Sequence, residues 1–237
     1  RLEMVRVGLA GLFGCDSEEI ALMRSTTEAM QTVLHGLDLQ RDDEVLITTQ
    51  EYPALVGILK RREKRDGIRI KEISIPAPPE SLDALVNIFE REMTSKTRLI
   101  LVSHPTYLNG QLFPIKRICE IAHQRGIEVA VDGAHSFGQI DFKHQDLDCD
   151  YYATSLHKWL SAPKGTGMLY VRRNKIGKVW PLTYTPEGMD DNIRKFEMGG
   201  AKSYGTFLGI TDALAFHHGV GPKRKEERLR YLTHYWA

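Results

Sequence analysis

Residues 151–160 read YYATSLHKWL, in which a strand pattern runs directly into three polar side chains. Residues 151–154 have the aromatic and β-branched composition of a strand, and Ser155, His157 and Lys158 follow at its end. A lysine at the end of a buried strand is poorly explained as a solvated surface charge. An amine that is desolvated has a lowered pKa and can form an imine with a carbonyl. We therefore predict that Lys158 is a nucleophile at a binding site.

The rest of the chain alternates apolar, strand-like runs with amphipathic helical stretches. The predicted strands are residues 44–48, 68–75, 98–102, 128–131, 151–154 and 168–171. One helical stripe, predicted to be buried, comprises Leu82, Leu85, Val86, Phe89 and Met93. Residues 180–192 are the predicted exit from the sheet, and a helical region is predicted from about Tyr204 onward. This alternation is typical of an α/β fold, in which helices cover a mainly parallel sheet.

The charge of the chain is nearly balanced, with 32 Lys and Arg residues, 31 Asp and Glu residues and a net charge of +1. No broad field favours nucleic acid or acidic membranes, so we predict a small-molecule partner. No run approaches the roughly 20 apolar residues of a membrane span. Cys15, Cys119 and Cys149 are widely spaced. They indicate neither disulfides nor a zinc site, and they favour a cytoplasmic location.

Three further segments place polar residues where open α/β sheets bind ligands. Thr26 and Thr27 open a helical run that could hold an anion at its N-terminus, although a plain N-cap explains the same sequence. Asp132 follows a strand, with His135 three residues later. A carboxylate there could keep a basic nitrogen protonated, or it could simply cap a turn. Tyr52 could present its face to a flat ring or could be a core tyrosine.

Five segments occur together in the order and spacing of a known family. They are RSTTEA at 24–29, EYPA at 51–54, VDGAH at 131–135, SLHKW at 155–159 and FEMGG at 196–200. Through these segments the chain resembles the class V aminotransferase family of fold-type I pyridoxal-phosphate (PLP) enzymes, and the isopenicillin N epimerase-like branch in particular. The resemblance extends over the whole chain. The resemblance implies a three-layer α/β/α large domain.

The resemblance also implies a role for each site residue. Lys158 would bind PLP as a Schiff base, Asp132 would pair with the pyridine nitrogen, and His135 would contact the ring hydroxyl. Tyr52 takes the position that stacks on the ring. The residues that match the phosphate site of the family are Thr26, Thr27, Ser155 and His157. An anionic partner such as Asp132 is what keeps the ring nitrogen protonated, so that the ring can act as an electron sink.

Two positions depart from the family pattern. Ala201 stands where the family usually has a threonine that reaches the phosphate of the neighbouring subunit, so we expect one phosphate hydrogen bond to be missing or replaced. By the same resemblance, Tyr107 occupies the position near the cofactor ring where desulfurase-like members carry asparagine. The family resemblance further implies a homodimer whose active sites lie at the subunit interface.

The sequence predicts two regions and one leading function. Residues 1–192 would form the PLP-binding large domain, and residues 193–237 its end and a helix that leads to a small C-terminal domain. Both ends read as helical sequence, so we expect the chain to be part of a longer protein without that C-terminal domain. The predicted enzyme acts on an amino acid or a related amine.

Other readings of the chain stay open. A cysteine desulfurase or selenocysteine lyase is the alternative within the enzyme class. A catalytically inactive PLP-fold binding protein is the alternative outside it. A metal site built from His104, His135 and His157 is disfavoured, because their spacing does not preform one.

Overall fold

A seven-stranded sheet forms the centre of the protein in the computed structural model, which describes residues 1–200 and 202–236. Its strands are β1 (Ile20–Met23), β2 (Glu44–Thr48), β3 (Arg69–Ile73), β4 (Thr97–Ser103), β5 (Glu128–Asp132), β6 (Tyr151–Ser155) and β7 (Gly167–Val171). They lie in the order β1-β7-β6-β5-β4-β2-β3. All neighbours among β2 to β6 pair in parallel, whereas β7 is antiparallel to both β6 and β1. The sheet is therefore mainly parallel, as the sequence predicted.

Helices cover both faces of the sheet. They are α1 (Leu2–Phe13), α2 (Thr26–Gly36), α3 (Pro53–Asp66), α4 (Leu82–Glu92), α5 (Ile115–His123), α6 (Tyr204–Leu208), α7 (Ile210–Val220) and α8 (Pro222–Trp236). One buried apolar cluster joins α2 and α3 to one face of the sheet. A second cluster joins α1, α4, α5 and α7 to the other face. Because helices pack an apolar stripe on each face, the fold has the predicted three layers.

The six predicted strands are all present, and their ends lie within about two residues of the prediction. Residues 180–192 contain no helix or strand, and helices follow from Tyr204, as predicted. The burial predicted for Leu82 is wrong. This residue is 55% exposed, because it opens α4 directly after the N-cap Ser81, one turn before the residues that contact the sheet. Strand β1 was not predicted, since four apolar residues alone do not distinguish a strand from a helix.

The carboxyl ends of the parallel strands meet at one edge of the sheet. There β2 ends at Thr48, β4 at Ser103, β5 at Asp132 and β6 at Ser155. Ser103 and Asp132 are register partners on adjacent strands. The connection from β6 to β7 contains no helix and carries Lys158, so the chain returns antiparallel beside β6. None of the helices formed by the described residues is long and apolar enough to cross a membrane.

Candidate active site

A cavity of about 280 Å³ lies at this carboxyl edge of the sheet. It brings together most of the residues that the sequence singled out, which are distant along the chain. The predicted residues that line it are Thr26, Thr27, Tyr52, Tyr107, Asp132, His135, Ser155, His157 and Lys158. The remaining predicted residue, Ala201, lies outside the described residues. The roles of all ten stay predictions, but nine of them share one cavity.

The amine of Lys158 contacts an imidazole whose tautomer can be inferred. Lys158 Nζ lies 3.0 Å from His135 Nε2, and the indole N–H of Trp159 donates to His135 Nδ1 at 3.2 Å. Because an indole nitrogen only donates, Nδ1 must accept, and a neutral His135 carries its proton on Nε2. That proton can be donated to the amine only when the amine is uncharged. The contact therefore favours neutral Lys158, which is the nucleophilic form.

Desolvation favours the same protonation state. It lowers the pKa of the Lys158 amine, against the opposing charge of Asp132. Desolvation, together with the positive charge of Lys158, also lowers the pKa of His135. The strand end at Ser155 is buried, whereas Lys158, three residues later, is exposed at the cavity. The amine is therefore accessible to a ligand as well as partly desolvated.

Asp132 is a buried carboxyl at the end of β5. Its Oδ1 accepts a hydrogen bond from the Ala134 N–H at 3.0 Å, and no ion pair to it is found within residues 1–200 and 202–236. Burial raises the pKa of Asp132, while the Ala134 N–H and the charge of Lys158 lower it. A buried carboxylate without an ion pair is complementary to a protonated nitrogen on a ligand.

The N-terminus of α2 forms another wall of the cavity. Ser25 caps the helix, and its hydroxyl accepts the N–H of Glu28 at 3.2 Å. The Thr26 N–H donates to Ser155 Oγ at 2.9 Å, and the two hydroxyl oxygens lie 2.8 Å apart. One hydroxyl proton of this pair is therefore left for a ligand. Since a helix N-terminus favours negative charge, this wall is suited to an anion such as a phosphate.

His157 adds an imidazole to the same wall. Its Nδ1 lies 3.1 Å from the carbonyl oxygen of Thr166. A carbonyl only accepts, so Nδ1 carries the proton, and Nε2 remains for a ligand.

Tyr52 and Tyr107 form the aromatic side of the cavity. Their ring centroids are 5.5 Å apart at an interplanar angle of 87°, which is a favourable edge-to-face contact. The residues are 43% and 41% exposed, respectively. Tyr52 also starts α3 as its N-cap residue. Part of its ring is therefore free to stack on a flat ligand, while Tyr107 supports that ring from the side.

The sequence interpretation missed Glu51, which lies behind the cavity. This carboxyl is 4% exposed, and the hydroxyls of Thr48 and Ser103 each donate to it at 2.6 Å. Burial raises the pKa of Glu51 to about 7, and the charge of Asp132 adds to the rise, whereas the two hydroxyl donors oppose it. The sequence signal that could have identified Glu51 was an acidic residue three positions after a strand that ends in threonine. Glu51 joins the ends of β2 and β4.

The free energy of unfolding should depend on pH through the ionisation of the Glu51 carboxyl. Burial raises its pKa from an ordinary 4.5 to about 7, so its contribution to stability is complete below the ordinary pKa and is lost as the pH rises through 7. At about 1.36 kcal/mol per pKa unit, the free energy of unfolding of the wild type should fall by roughly 2 to 3 kcal/mol between about pH 5 and about pH 8.5. This fall should be absent in Glu51→Gln. Chemical denaturation of both proteins at the two pH values measures this difference. Identical pH dependence in the two proteins would show that the carboxyl is not perturbed.

The histidines at this edge do not assemble a metal site. His104 does not line the cavity but packs against Phe142, with ring centroids 5.7 Å apart. Burial lowers the pKa of His104 to about 4. Across the part of the chain that the structure describes, no group of three or more His, Cys, Asp and Glu residues is placed to hold a metal ion. The groups that meet at the cavity are an amine, a carboxyl, imidazoles and hydroxyls.

Comparison with known proteins gives a consistent result over the whole chain. The family model for aminotransferase class V matches residues 1–236. Isopenicillin N epimerase of Amycolatopsis lactamdurans is 32% identical over 246 residues, which cover 96% of this chain and 62% of that protein. A "Probable cysteine desulfurase" of Halalkalibacterium halodurans is 29% identical over 234 residues, covering 92% of this chain and 56% of that protein. The chain thus spans less than two thirds of the length of these relatives.

A solved structure shares the fold. It is a mutant of C-DES with glycine covalently linked to its PLP cofactor. The two chains superpose with a TM-score of 0.84 and 27% sequence identity, over 95% of this chain and 62% of the other. The fold is therefore shared over nearly the whole of this chain.

Proposed function

This chain belongs to the aminotransferase class V family, and from that membership we propose that it is the PLP-binding part of an enzyme that acts on an amino acid or a related small amine. One observation carries the proposal. The cavity holds Lys158, in a contact that favours its uncharged amine, together with the buried carboxyl of Asp132, which has no ion pair among the described residues.

The groups of the cavity fit PLP. The amine of Lys158 suits its aldehyde, and the carboxyl of Asp132 suits its pyridine nitrogen. The N-terminus of α2 suits its phosphate, and the half-exposed ring of Tyr52 suits its flat face. When it is bound, PLP supplies an electron sink for negative charge at the substrate α-carbon, provided that its ring nitrogen stays protonated.

The residues of this chain then have separate tasks. With PLP bound, the free Lys158 amine would remove or return the proton at the α-carbon of the substrate. It can accept that proton only when it is uncharged, and the His135 contact favours that state. Asp132 would hold the proton on the ring nitrogen. One hydroxyl of the Thr26–Ser155 pair would donate to the phosphate and help to orient the ring.

The epimerase-like branch is the leading assignment, and a cysteine desulfurase or selenocysteine lyase is the second candidate, since a desulfurase is nearly as similar. In desulfurases the family places a nucleophilic cysteine on a loop. Burial raises the thiol pKa of Cys15 to about 12 and also raises those of Cys119 and Cys149. None of these three thiols lines the cavity. Desulfurase chemistry would therefore need a thiol from another part of the whole protein.

The proposed function has a test that does not depend on the branch. Transamination, epimerisation and elimination all begin by removing the α-proton. The whole protein, loaded with PLP in deuterium oxide, should therefore exchange the α-hydrogen of its amino-acid substrates, as read by mass spectrometry. A panel of amino acids and small amines identifies the substrate class. A protein that binds PLP but exchanges no α-hydrogen would support the inactive binding protein, and a protein that does not bind PLP would refute the proposal.

A cytoplasmic homodimer is also part of the proposal. Large aromatic side chains are exposed within residues 180–192 and at the start of α6. Trp180, Tyr184 and Tyr204 are 70%, 83% and 63% exposed, respectively. Apolar surface of this kind is typical of an interface. We therefore expect sedimentation equilibrium of the PLP-loaded whole protein to give twice the mass of one copy of that protein. A PLP-loaded monomer at micromolar concentration would contradict this expectation.

A further inference from the structure

Trp159 directly follows Lys158, but its indole points back to the loop that carries His135. The indole N–H donates to His135 Nδ1 at 3.2 Å. This loop also contacts the backbone of the turn formed by residues 158–161, the Trp159 turn. A Cβ on Gly138, whose φ is +76°, would lie 3.1 Å from the Trp159 carbonyl carbon and 2.9 Å from the Leu160 nitrogen. Only glycine allows both that backbone conformation and that approach.

The Trp159 turn is held from its other side by α8. Lys225 donates a hydrogen bond to the Trp159 carbonyl oxygen. The backbone at Trp159 is therefore held between α8 and the His135 loop, and the indole N–H is directed at His135 Nδ1. These contacts matter because a hydrogen bond can select a tautomer only when its donor is held in place.

We propose that Trp159 is a positioning residue that fixes the tautomer of His135 and so keeps a proton donor on Nε2, facing Lys158 and the cofactor. This inference rests on the proposed function. It adds a residue that does not line the cavity and that therefore acts through another side chain.

The alternative tautomer would have the opposite effect on the amine. With its proton on Nδ1, His135 would present a lone pair at Nε2, and that lone pair would stabilise the ammonium form of Lys158. An ammonium group is not a nucleophile. The charged groups around this contact are Lys158 itself, Asp132 at the end of β5 and Lys225 on α8. Neither Asp132 nor Lys225 forms a hydrogen bond to the imidazole among the described residues, so the indole is the partner that selects the tautomer.

The test compares two Trp→Phe variants of the whole protein. Trp159→Phe removes the N–H and keeps an aromatic ring, and Trp180→Phe makes the same change at an exposed site outside this cavity. In PLP-free protein, ¹⁵N NMR of His135 should show an unprotonated Nδ1 in the wild type and in Trp180→Phe. In Trp159→Phe the tautomer ratio should fall about fivefold, the factor that corresponds to the loss of about 1 kcal/mol of net hydrogen bond.

A second readout is the rate of imine formation with added PLP as a function of pH. Trp159→Phe should slow this reaction by up to about fivefold near neutral pH and by less at high pH, where the amine is uncharged in any case. A merely structural role would slow it equally at all pH values. If Trp159→Phe does not fold, 3-benzothienylalanine at position 159 removes the same N–H and preserves the ring shape.

Three results would overturn the inference. They are a protonated Nδ1 in the wild type, an unchanged tautomer ratio in the N–H-deficient protein, and a rate loss that is independent of pH. The NMR readout needs no cofactor, so it tests the inference even if the proposed function fails. Absence of PLP binding by the wild type would refute the proposed function alone.

Discussion

Lys158→Ala is expected to abolish covalent retention of PLP and to lower turnover by at least about 10³-fold, since the variant loses both the covalent attachment and the general base. Among the described residues that line the cavity, Lys158 alone carries an amine. No neighbouring residue can therefore replace it. Borohydride reduction, proteolysis and mass spectrometry locate the attachment, and the rate of α-hydrogen exchange measures turnover.

Lys164→Ala is the matched control. Lys164 is an exposed residue in the same connection between β6 and β7 and lies outside the cavity, so its replacement should leave both the attachment and the exchange rate unchanged. In the wild type, the pyridoxyl group should appear only on the peptide that contains Lys158. Its recovery on any other lysine would show that the assignment of the nucleophile is wrong.

The layers and strands of this fold are predictable from the sequence because buried parallel strands and one-sided helices have distinct periodicities. Residues 129–131 are apolar and buried on both faces of the sheet, and Ile115, Ile118 and Cys119 share one buried helix face. Strand β1 lacks such a signature. Its place at the sheet edge depends on long-range pairing with β7, which local sequence does not encode.

The cavity was predictable to the extent that its residues follow strand ends. Asp132 and Ser155 end two strands, and the parallel direction of those strands brings them to one edge. The hydrogen-bond partners were not predictable. The indole of Trp159 and the carboxyl of Glu51 contact residues 24 and 52 positions away, respectively. Contacts at such separations depend on the tertiary fold, so their effects on proton positions and pKa values emerge only from the structure.

Asp132→Asn is expected to reduce α-hydrogen exchange by about 10² to 10³-fold, which corresponds to the roughly 2.7 to 4 kcal/mol of a single electrostatic group in a transition state. The substitution keeps the shape of the side chain and removes its charge, so the ring nitrogen loses the partner that keeps it protonated. The affinity for PLP should fall by less than about tenfold, because the Lys158 attachment and the phosphate contacts remain. Equilibrium binding and exchange kinetics separate the two effects. Exchange within a few-fold of the wild type would show that Asp132 does not support the electron sink.

The stability of the PLP-free protein should not fall in Asp132→Asn. Burial raises the pKa of Asp132, so the charged form is disfavoured in the folded state and its removal should not destabilise the protein at neutral pH. Asp150→Asn is the matched control. This buried carboxyl accepts the Val129 N–H at 2.8 Å and lies 2.9 Å from His123 Nε2 and 3.3 Å from Arg172 Nε. Its loss should lower stability and leave cofactor chemistry unchanged. If both variants were destabilised alike, Asp132 would be a structural carboxyl. A folded, equally stable and inactive Asp132→Asn protein would instead show that the unpaired charge is retained for the cofactor.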